Sequence, residues 1–342
     1  MATEKPIVLC TRGSALALAQ SNFIAAQCRA AFPRLRFELK IIKTTGDKLQ
    51  KASMAKTAGP AEALPKGLFT KELEVALVKG QADLAVHSLK DLPTELPAGL
   101  VLAATPQRED VRDVLIYRDA AFLRQRAEEK PGSATPGRPA LRGLEPQSKL
   151  KDLPKGATIA TSSTRRKMSL LAVRPDLNVV EIRGNVATRM QKVAERGELD
   201  ATILALAGLK RLDFKIHADG TISGAAVPAG LLATVLELDE MLPCVGQGAI
   251  GIEIRADDER LAKICERLNH IDTFQAVTAE RAFLRGMGGG CQSPVGAFAE
   301  ISGDQIFLRA ISFREAAAKR GAARRPAAEA ARLGEQMAGE LK

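Results

Sequence analysis

The 342-residue chain has no tryptophan and a single tyrosine, Tyr117, and aromatic residues make up only 4% of it. Few flat side chains are therefore on hand to stack on bases, which argues against nucleic acid as the partner of its positive charge. The three histidines, His87, His217 and His270, are too scattered to suggest a metal site. The five cysteines are odd in number, widely spaced and without a Cys-x-x-Cys pair. That argues against a disulfide framework or a structural zinc and for a reducing, cytoplasmic setting. No apolar run is long enough to span a bilayer; Thr202–Leu209 is cut short by Lys210 and Arg211. The N-terminal Pro6-Ile7-Val8-Leu9-Cys10 reads as a strand, with no sign of a secretory leader. The P-loop and the Gly-x-Ser-x-Gly elbow are both missing.

What is present is a globular composition, 46% hydrophobic and 26% charged, with a formal charge of +10 and a pI near 9.5. A substrate bearing several carboxylates or phosphates accounts for that charge as well as a polyanion does. The first two-thirds of the chain alternates strands and helices. Ile7–Thr11, Phe37–Lys43, Asp83–His87 and Leu100–Thr105 read as strands, with helices opened by Ser14 and Thr70 between them. The rhythm returns at Val114–Tyr117, Thr158–Thr161, Asn178–Ile182 and Ala201–Ala205, with helices over Ser163–Val173 and Val186–Arg196. This predicts two related α/β domains with mostly parallel sheets. Residues 119–156, with their Pro/Gly-rich middle, read as a solvated excursion without assigned function. Asp272 is expected to cap a helix ending at Gly286. A hairpin of Val295–Ile301 and Ile306–Phe313 follows, and a basic, alanine-rich helix with Pro326 in its first turn closes a small α+β domain.

Three strand-to-helix junctions carry the same equipment: Thr11-Arg12-Gly13-Ser14, Thr161-Ser162-Ser163-Thr164-Arg165-Arg166, and Arg183-Gly184-Asn185 with Arg189 one turn on. Each puts hydroxyl or amide groups and arginine beside the unpaired N–H groups of a helix start, where anions bind. Arginine adds a two-pronged fork for a carboxylate or phosphate. Any one junction is equally an ordinary capped helix with a solvated arginine; three together imply a cleft for a ligand with several acidic groups. A fourth strand end, His87-Ser88-Leu89-Lys90-Asp91-Leu92-Pro93, places one aspartate among these cations. Asp91 is the candidate for proton handling or for stabilising developing positive charge; a surface ion pair is the alternative. Between Gly286 and Gly296 stands a glycine-rich loop, Gly288-Gly289-Gly290-Cys291-Gln292. Glycines clear space around the Cys291 sulfur, as a bulky attached group would require. Taken alone, the loop reads as well as a turn with a buried cysteine. The Gly246-Gln247-Gly248-Ala249-Ile250-Gly251 match to a dinucleotide fingerprint is set aside, because it runs into a strand and not a helix.

In order along the chain, these motifs resemble the porphobilinogen deaminase (hydroxymethylbilane synthase) family. The resemblance rests on the Arg12–Gln20 stretch, Lys66-Gly67-Leu68-Phe69-Thr70-Lys71-Glu72-Leu73-Glu74, the His87–Pro93 run and the Thr161–Arg166 run. It continues through Arg183-Gly184-Asn185-Val186, Ala207-Gly208-Leu209-Lys210-Arg211, Val245-Gly246-Gln247-Gly248-Ala249 and Gly290-Cys291-Gln292. It implies a transferase that condenses four porphobilinogen molecules head to tail into hydroxymethylbilane with loss of ammonia. It implies a dipyrromethane cofactor held by a thioether to Cys291, with Asp91 as the catalytic carboxylate. Ser14, Lys90, Asp91, Thr161, Ser163, Arg165, Arg166 and Arg189 would hold the cofactor; Arg12, Gln20, Arg183 and Arg189 would hold substrate. The implied fold is α/β: two periplasmic-binding-protein-like (type II) domains plus a small C-terminal α+β domain. Domain 1 would cover 1–105 and 244–268, domain 2 would cover 106–243 with the insertion near 119–156, and the last domain 269–342. The resemblance also implies a cytoplasmic monomer without metal, nucleic acid or membrane, whose product passes to uroporphyrinogen-III synthase. Ala160, Cys244, the long Thr57–Pro65 lid segment and the 119–156 stretch depart from the family pattern. A non-enzymatic anion-binding module would keep the arginine junctions but has no use for Asp91 or Cys291.

Overall fold

The computed structural model describes residues 5–45, 69–129, 140–290, 292–315 and 317–342. The lid segment through Leu68, the Pro131–Pro139 run and Cys291 lie outside the described residues. In chain order the elements are β1 (Ile7–Thr11), α1 (Ala15–Ala31), β2 (Phe37–Ile41), α2 (Lys71–Val78), β3 (Leu84–Ser88), β4 (Leu100–Ala104), β5 (Asp113–Arg118), α3 (Ala120–Glu129), β6 (Thr158–Ala160), α4 (Thr164–Val173), β7 (Asn178–Val180) and α5 (Val186–Glu195). They continue with β8 (Ala201–Ala205), α6 (Leu206–Arg211), β9 (Lys215–Ile216), β10 (Ile222–Ser223), β11 (Leu231–Val235), β12 (Ile250–Arg255), α7 (Glu259–Leu268), α8 (Ile271–Gly286), β13 (Val295–Ser302), β14 (Gln305–Ser312), β15 (Lys319–Pro326) and α9 (Ala330–Leu341). The chain forms two compact units, Met1–Glu109 with Cys244–Ser312 and Lys319–Lys342, and Asp110–Pro243 with Phe313–Ala318.

The first unit holds a five-stranded sheet in the order β2-β1-β3-β12-β4. Residues alternate along each strand, so one set faces each side. Ile7, Leu9, Leu84 and Val86 pack with Ile24 and Cys28 of α1 and Leu261 of α7, while Cys10 and Ala85 pack with Leu73 and Leu77 of α2. Covered on both faces, these strands read as apolar runs. The second unit repeats the plan in the order β7-β6-β8-β5-β11. Leu115 and Tyr117 face Leu170 of α4; Val114 and Ile116 face Met190 and Val193 of α5.

The sheets are mixed, which corrects the expectation of mostly parallel pairing. β1 pairs parallel with β2 and β3, and β6 parallel with β7 and β8. The fourth strand of each, β12 or β5, runs antiparallel to both its neighbours. Each of these follows directly on a segment that carries the chain from one unit to the other, so it enters its sheet from the opposite end. Strand polarity across such a connection is set by topology and is invisible to local periodicity.

The segment 119–156 is solvated only in part. α3 has no buried residue, but Leu150 and Leu153 belong to the core beside Tyr117. Arg142 pairs with Asp200 at 2.8 Å.

In the C-terminal part of the first unit, α8 and α9 pack on the antiparallel sheet β13-β14-β15. Pro326, expected in the first turn of the last helix, instead ends the third strand of this sheet, Lys319–Pro326, which pairs with all of β14. Its exposure alternates residue by residue, and cross-strand pairing overrides the helical preference of its alanines. α8 starts earlier than expected, with His270 and not Asp272 as cap, its Nδ1 accepting from the Thr273 N–H at 3.3 Å. Where α8 and α9 cross, a Cβ on Gly334 would lie 2.1 Å from the Ala279 carbonyl oxygen and 2.7 Å from the Phe283 nitrogen. Neither backbone atom can yield cheaply. Gly334→Ala is expected to cost about 1–3 kcal/mol, as overpacking does, read from denaturant midpoints; an unchanged midpoint would refute this close crossing.

Candidate active site

In the first unit β1 turns through Arg12-Gly13-Ser14 into α1, and the Ser14 hydroxyl accepts from the Ala17 N–H at 3.3 Å. The cap expected of Ser14 is thus formed, whereas Thr70 makes no side-chain cap bond at the start of α2. The Arg12 guanidinium lies 4.2 Å from the centre of the Phe69 ring. That stacking holds the fork against a flat, apolar wall. Gln20, one turn along α1, is 2% exposed. Its Oε1 accepts from the Ser88 hydroxyl at 2.9 Å, which leaves the amide Nε2 buried without a partner among the described residues. A buried donor of this kind calls for an acceptor. Arg12, Ser14, Gln20, Phe69, Ser88 and Asp91 line one pocket.

Asp91 and Lys90 sit in a single turn of 3-10 helix, Leu89–Asp91, directly after β3. The set-aside glycine motif explains what holds this turn. Gly246 has a φ of +72°, and a Cβ there would lie 3.2 Å from both Leu89 Cγ and the Lys90 nitrogen. Leu89 N–H donates to the Ala249 carbonyl at 3.0 Å. These glycines let the returning chain lie flat against the turn that carries Asp91. From the other side, Arg281 of α8 donates to the carbonyls of Leu92 and Pro93, at 3.1 and 2.6 Å. Glu280, its neighbour, is fully buried. It takes a two-pronged bond from Arg108 at 2.6 and 3.0 Å and accepts from the Gly246 and Ala299 N–H groups. α8 is thereby anchored just before the Cys291 loop. Along that loop a Cβ on Gly288 or Gly290 would meet nothing within 4 Å among the described residues, whereas one on Gly289 would run into the Ser293 side chain.

Thiol chemistry separates three of the other cysteines from any such role. Cys10, Cys28, Cys244 and Cys265 are free. Burial pushes the Cys10 and Cys265 thiols up to about 12 and Cys28 to about 11. The thiolate is the reactive form, so these three act as small core residues.

In the second unit the Thr161–Arg166 and Arg183–Arg189 junctions are sutured to each other. The Ser162 hydroxyl donates to the Ile182 carbonyl at 2.6 Å and accepts from its N–H at 3.2 Å. Ser163 caps α4, and the Thr161 hydroxyl accepts from the Ser163 N–H. Asn185 caps α5 through the Thr188 N–H at 2.8 Å. Arg189 Nε donates to the Gly184 carbonyl at 2.8 Å. Burial, and secondarily the Arg166 charge, lowers Arg189 to about 10, still a cation at neutral pH. Arg183 is exposed, 3.8 Å from Glu181.

Sequence reasoning missed Asp113, the first residue of β5. It is fully buried and pairs with Arg165 at 2.8 Å and Arg166 at 2.7 Å. Burial alone would raise its carboxyl, but the two guanidinium charges and their hydrogen bonds outweigh that and hold it well below 3.8. Arg165 also donates to the Leu242 carbonyl, and Arg166 to that of Ile203. The only clue in the sequence is an acid opening an apolar strand. Also missed was a buried contact between His87 Nε2 and the Glu253 carboxylate at 2.9 Å.

Residues 7–263 match the family described as porphobilinogen deaminase, dipyrromethane cofactor binding domain, and residues 274–342 match the porphobilinogen deaminase C-terminal domain. The porphobilinogen deaminase of Chloroherpeton thalassium is 43% identical over 298 residues, covering 87% of this chain and 80% of that protein. That of Geotalea uraniireducens is 40% identical over 339 residues, covering 98% of this chain and 91% of that protein. Among solved structures, the BenM effector binding domain with benzoate aligns over 78% of this chain and 91% of its own, at 18% identity and a TM-score of 0.39. On the two domain matches and these relatives, the chain belongs to the porphobilinogen deaminase family and is an enzyme of tetrapyrrole biosynthesis that makes hydroxymethylbilane from porphobilinogen with a dipyrromethane cofactor.

Proposed function

We propose that the pocket lined by Arg12, Gln20 and Asp91 is where porphobilinogen is deaminated and joined to the growing chain. The observation that carries this is the buried Gln20 amide, without a partner among the described residues, beside the Arg12 fork and the Asp91 carboxylate. Porphobilinogen brings an acetate and a propionate as acceptors, and a pyrrole N–H and an aminomethyl group as donors. Arg12 and Gln20 take the carboxylates, and Arg183 and Arg189 serve substrate acids in the same way. Asp91 accepts from pyrrole N–H and offsets the positive charge that develops as ammonia departs. Ser14, Lys90, Thr161, Ser163, Arg165, Arg166 and Arg189 hold the cofactor. For Arg165 and Arg166 this means donating from guanidinium edges that Asp113 has already aligned. Cys291 is the thioether anchor, in keeping with the run of glycines that precedes it in the sequence. When bound, the dipyrromethane supplies the primer to which the first substrate ring is added.

The division into domain 1 at 1–105 and 244–268, domain 2 at 106–243 and a last domain at 269–342 is part of this reading. The break between the family matches at 263 and 274 supports its final boundary. So is action as a cytoplasmic monomer that passes its product to uroporphyrinogen-III synthase; the free cysteines favour a reducing compartment. No helix among the described residues is long and apolar enough to cross a membrane.

The test is the denatured intact mass of wild-type protein and of Cys291→Ala. An excess equal to two deaminated porphobilinogen units is expected in the wild type and absent from the variant. The same excess on Cys291→Ala would remove Cys291 as the anchor. A bare wild type that stays bare after incubation with porphobilinogen would favour an anion-binding module.

A further inference from the structure

Where His87 lines the pocket, three ionisable side chains share a buried space that the proposed roles leave unused. His87 projects from β3 on the side of the sheet covered by α2, the same side as Ala85. Glu253 of β12 stands opposite Ala85 in the ladder, and its Oε2 lies 2.9 Å from His87 Nε2, with both side chains at most 3% exposed. The second oxygen, Oε1, is buried without a hydrogen-bond partner among the described residues. Glu74, reaching down from α2, is 8% exposed. A buried carboxylate with one oxygen left unsatisfied is costly, so a fold that keeps one there needs it for more than packing.

His87 is one residue before Ser88, whose hydroxyl orients Gln20, and four before Asp91. We infer that Glu253 is a positioning residue for the reaction, acting through His87 on the end of β3 that presents Ser88 and Asp91, and that Glu74 limits this role at higher pH by bringing a second negative charge into the same space. The inference rests on the placement of the reaction at Asp91.

The charged and titratable neighbours are few. α2 supplies Glu74 and Glu72, the latter accepting from Thr45 at 2.7 Å. β1 supplies the Cys10 thiol, which feels the Glu253 charge. β3 supplies His87, with Asp83 just before it, and β12 supplies Glu253 and Arg255, which pairs with Asp83 at the far end of the strand. Arg12 and Asp91 lie at the pocket. Burial raises the Glu74 carboxyl above its ordinary 4.5; Thr70 opposes this and the Glu253 charge adds to it. A group raised in the folded state stabilises fully below its unfolded value and loses that contribution as pH rises through the folded one.

The experiment measures kcat and KM for porphobilinogen from pH 6 to 9 on cofactor-loaded wild type, Glu253→Gln and Glu74→Gln, with intact mass confirming loading and thermal melting followed over the same range and down to pH 4.5. Glu253→Gln is expected to lose about 10- to 100-fold in kcat, as a small misplacement of a reacting group does, with KM within about threefold. Glu74→Gln is expected to hold its kcat better than wild type as pH rises, and its melting temperature relative to wild type should climb as pH rises above 4.5. A loaded, folded Glu253→Gln with wild-type kcat overturns the inference. If Glu253→Gln does not fold, the Glu74→Gln melting series decides: a flat difference with pH overturns it. A loaded Asp91→Ala with full activity would instead overturn the placement of the reaction, and this inference with it.

Discussion

Replacing Asp91 with alanine is expected to lower kcat by at least about 100-fold, the range over which a positioned acid or base contributes, while the purified variant still carries some cofactor mass. The two readouts separate because the roles are separate. In the proposed reading, cofactor is held by cations and hydroxyls at several junctions, and losing one acceptor leaves most of that intact. Turnover needs a negative charge where positive charge develops, and the pocket offers Asp91 among Arg12, Gln20 and Ser14. The turn around it is braced by the flat Gly246 backbone on one side and by Arg281 on the other. The loss should therefore appear in kcat and not as unfolding. Steady-state kinetics with intact-mass analysis checks it, and an Asp91→Ala enzyme at full speed would remove the residue from the chemistry.

Asp113→Asn is expected to destabilise the protein by about 3–5 kcal/mol, as removing one partner from a buried ion pair does. The amide keeps the volume but strips the charge that Arg165 and Arg166 share, and both arginines are at most 6% exposed. The sign with pH follows from the depressed carboxyl. The stabilisation is complete above the ordinary aspartate value near 3.8 and is lost only as pH falls through the much lower folded value. Wild type and variant should thus differ most from neutral pH down to about 4 and converge in strong acid. Urea unfolding at several pH values measures this, and a difference below about 1 kcal/mol at neutral pH would show that the pair is not a true buried one.

Much of the site was legible because its chemistry is local. A serine or asparagine before an apolar-periodic run caps a helix wherever that run packs, and Ser14, Ser163 and Asn185 all do so. The odd cysteines, the glycines around Cys291 and the lone aspartate at a strand end are likewise properties of short segments. Partners distant in sequence were not legible. Asp113 is 53 positions from Arg166, and Glu253 is 166 from His87. No spacing rule links such positions.

The sequence by itself determined the α/β class, the capped strand-to-helix junctions with their arginines, the candidate cysteine and aspartate and the family they belong to, since each depends on residues within one element or turn. Only the tertiary structure decided that each sheet is mixed, that Lys319–Pro326 is a strand, that the Gly246 motif is a brace for Asp91, and that Arg165 and Arg166 lean on a buried carboxylate. Those outcomes turn on which distant segments share a sheet or a buried space. There, ladder pairing and the cost of an unpaired charge outweigh what any short stretch of chain prefers.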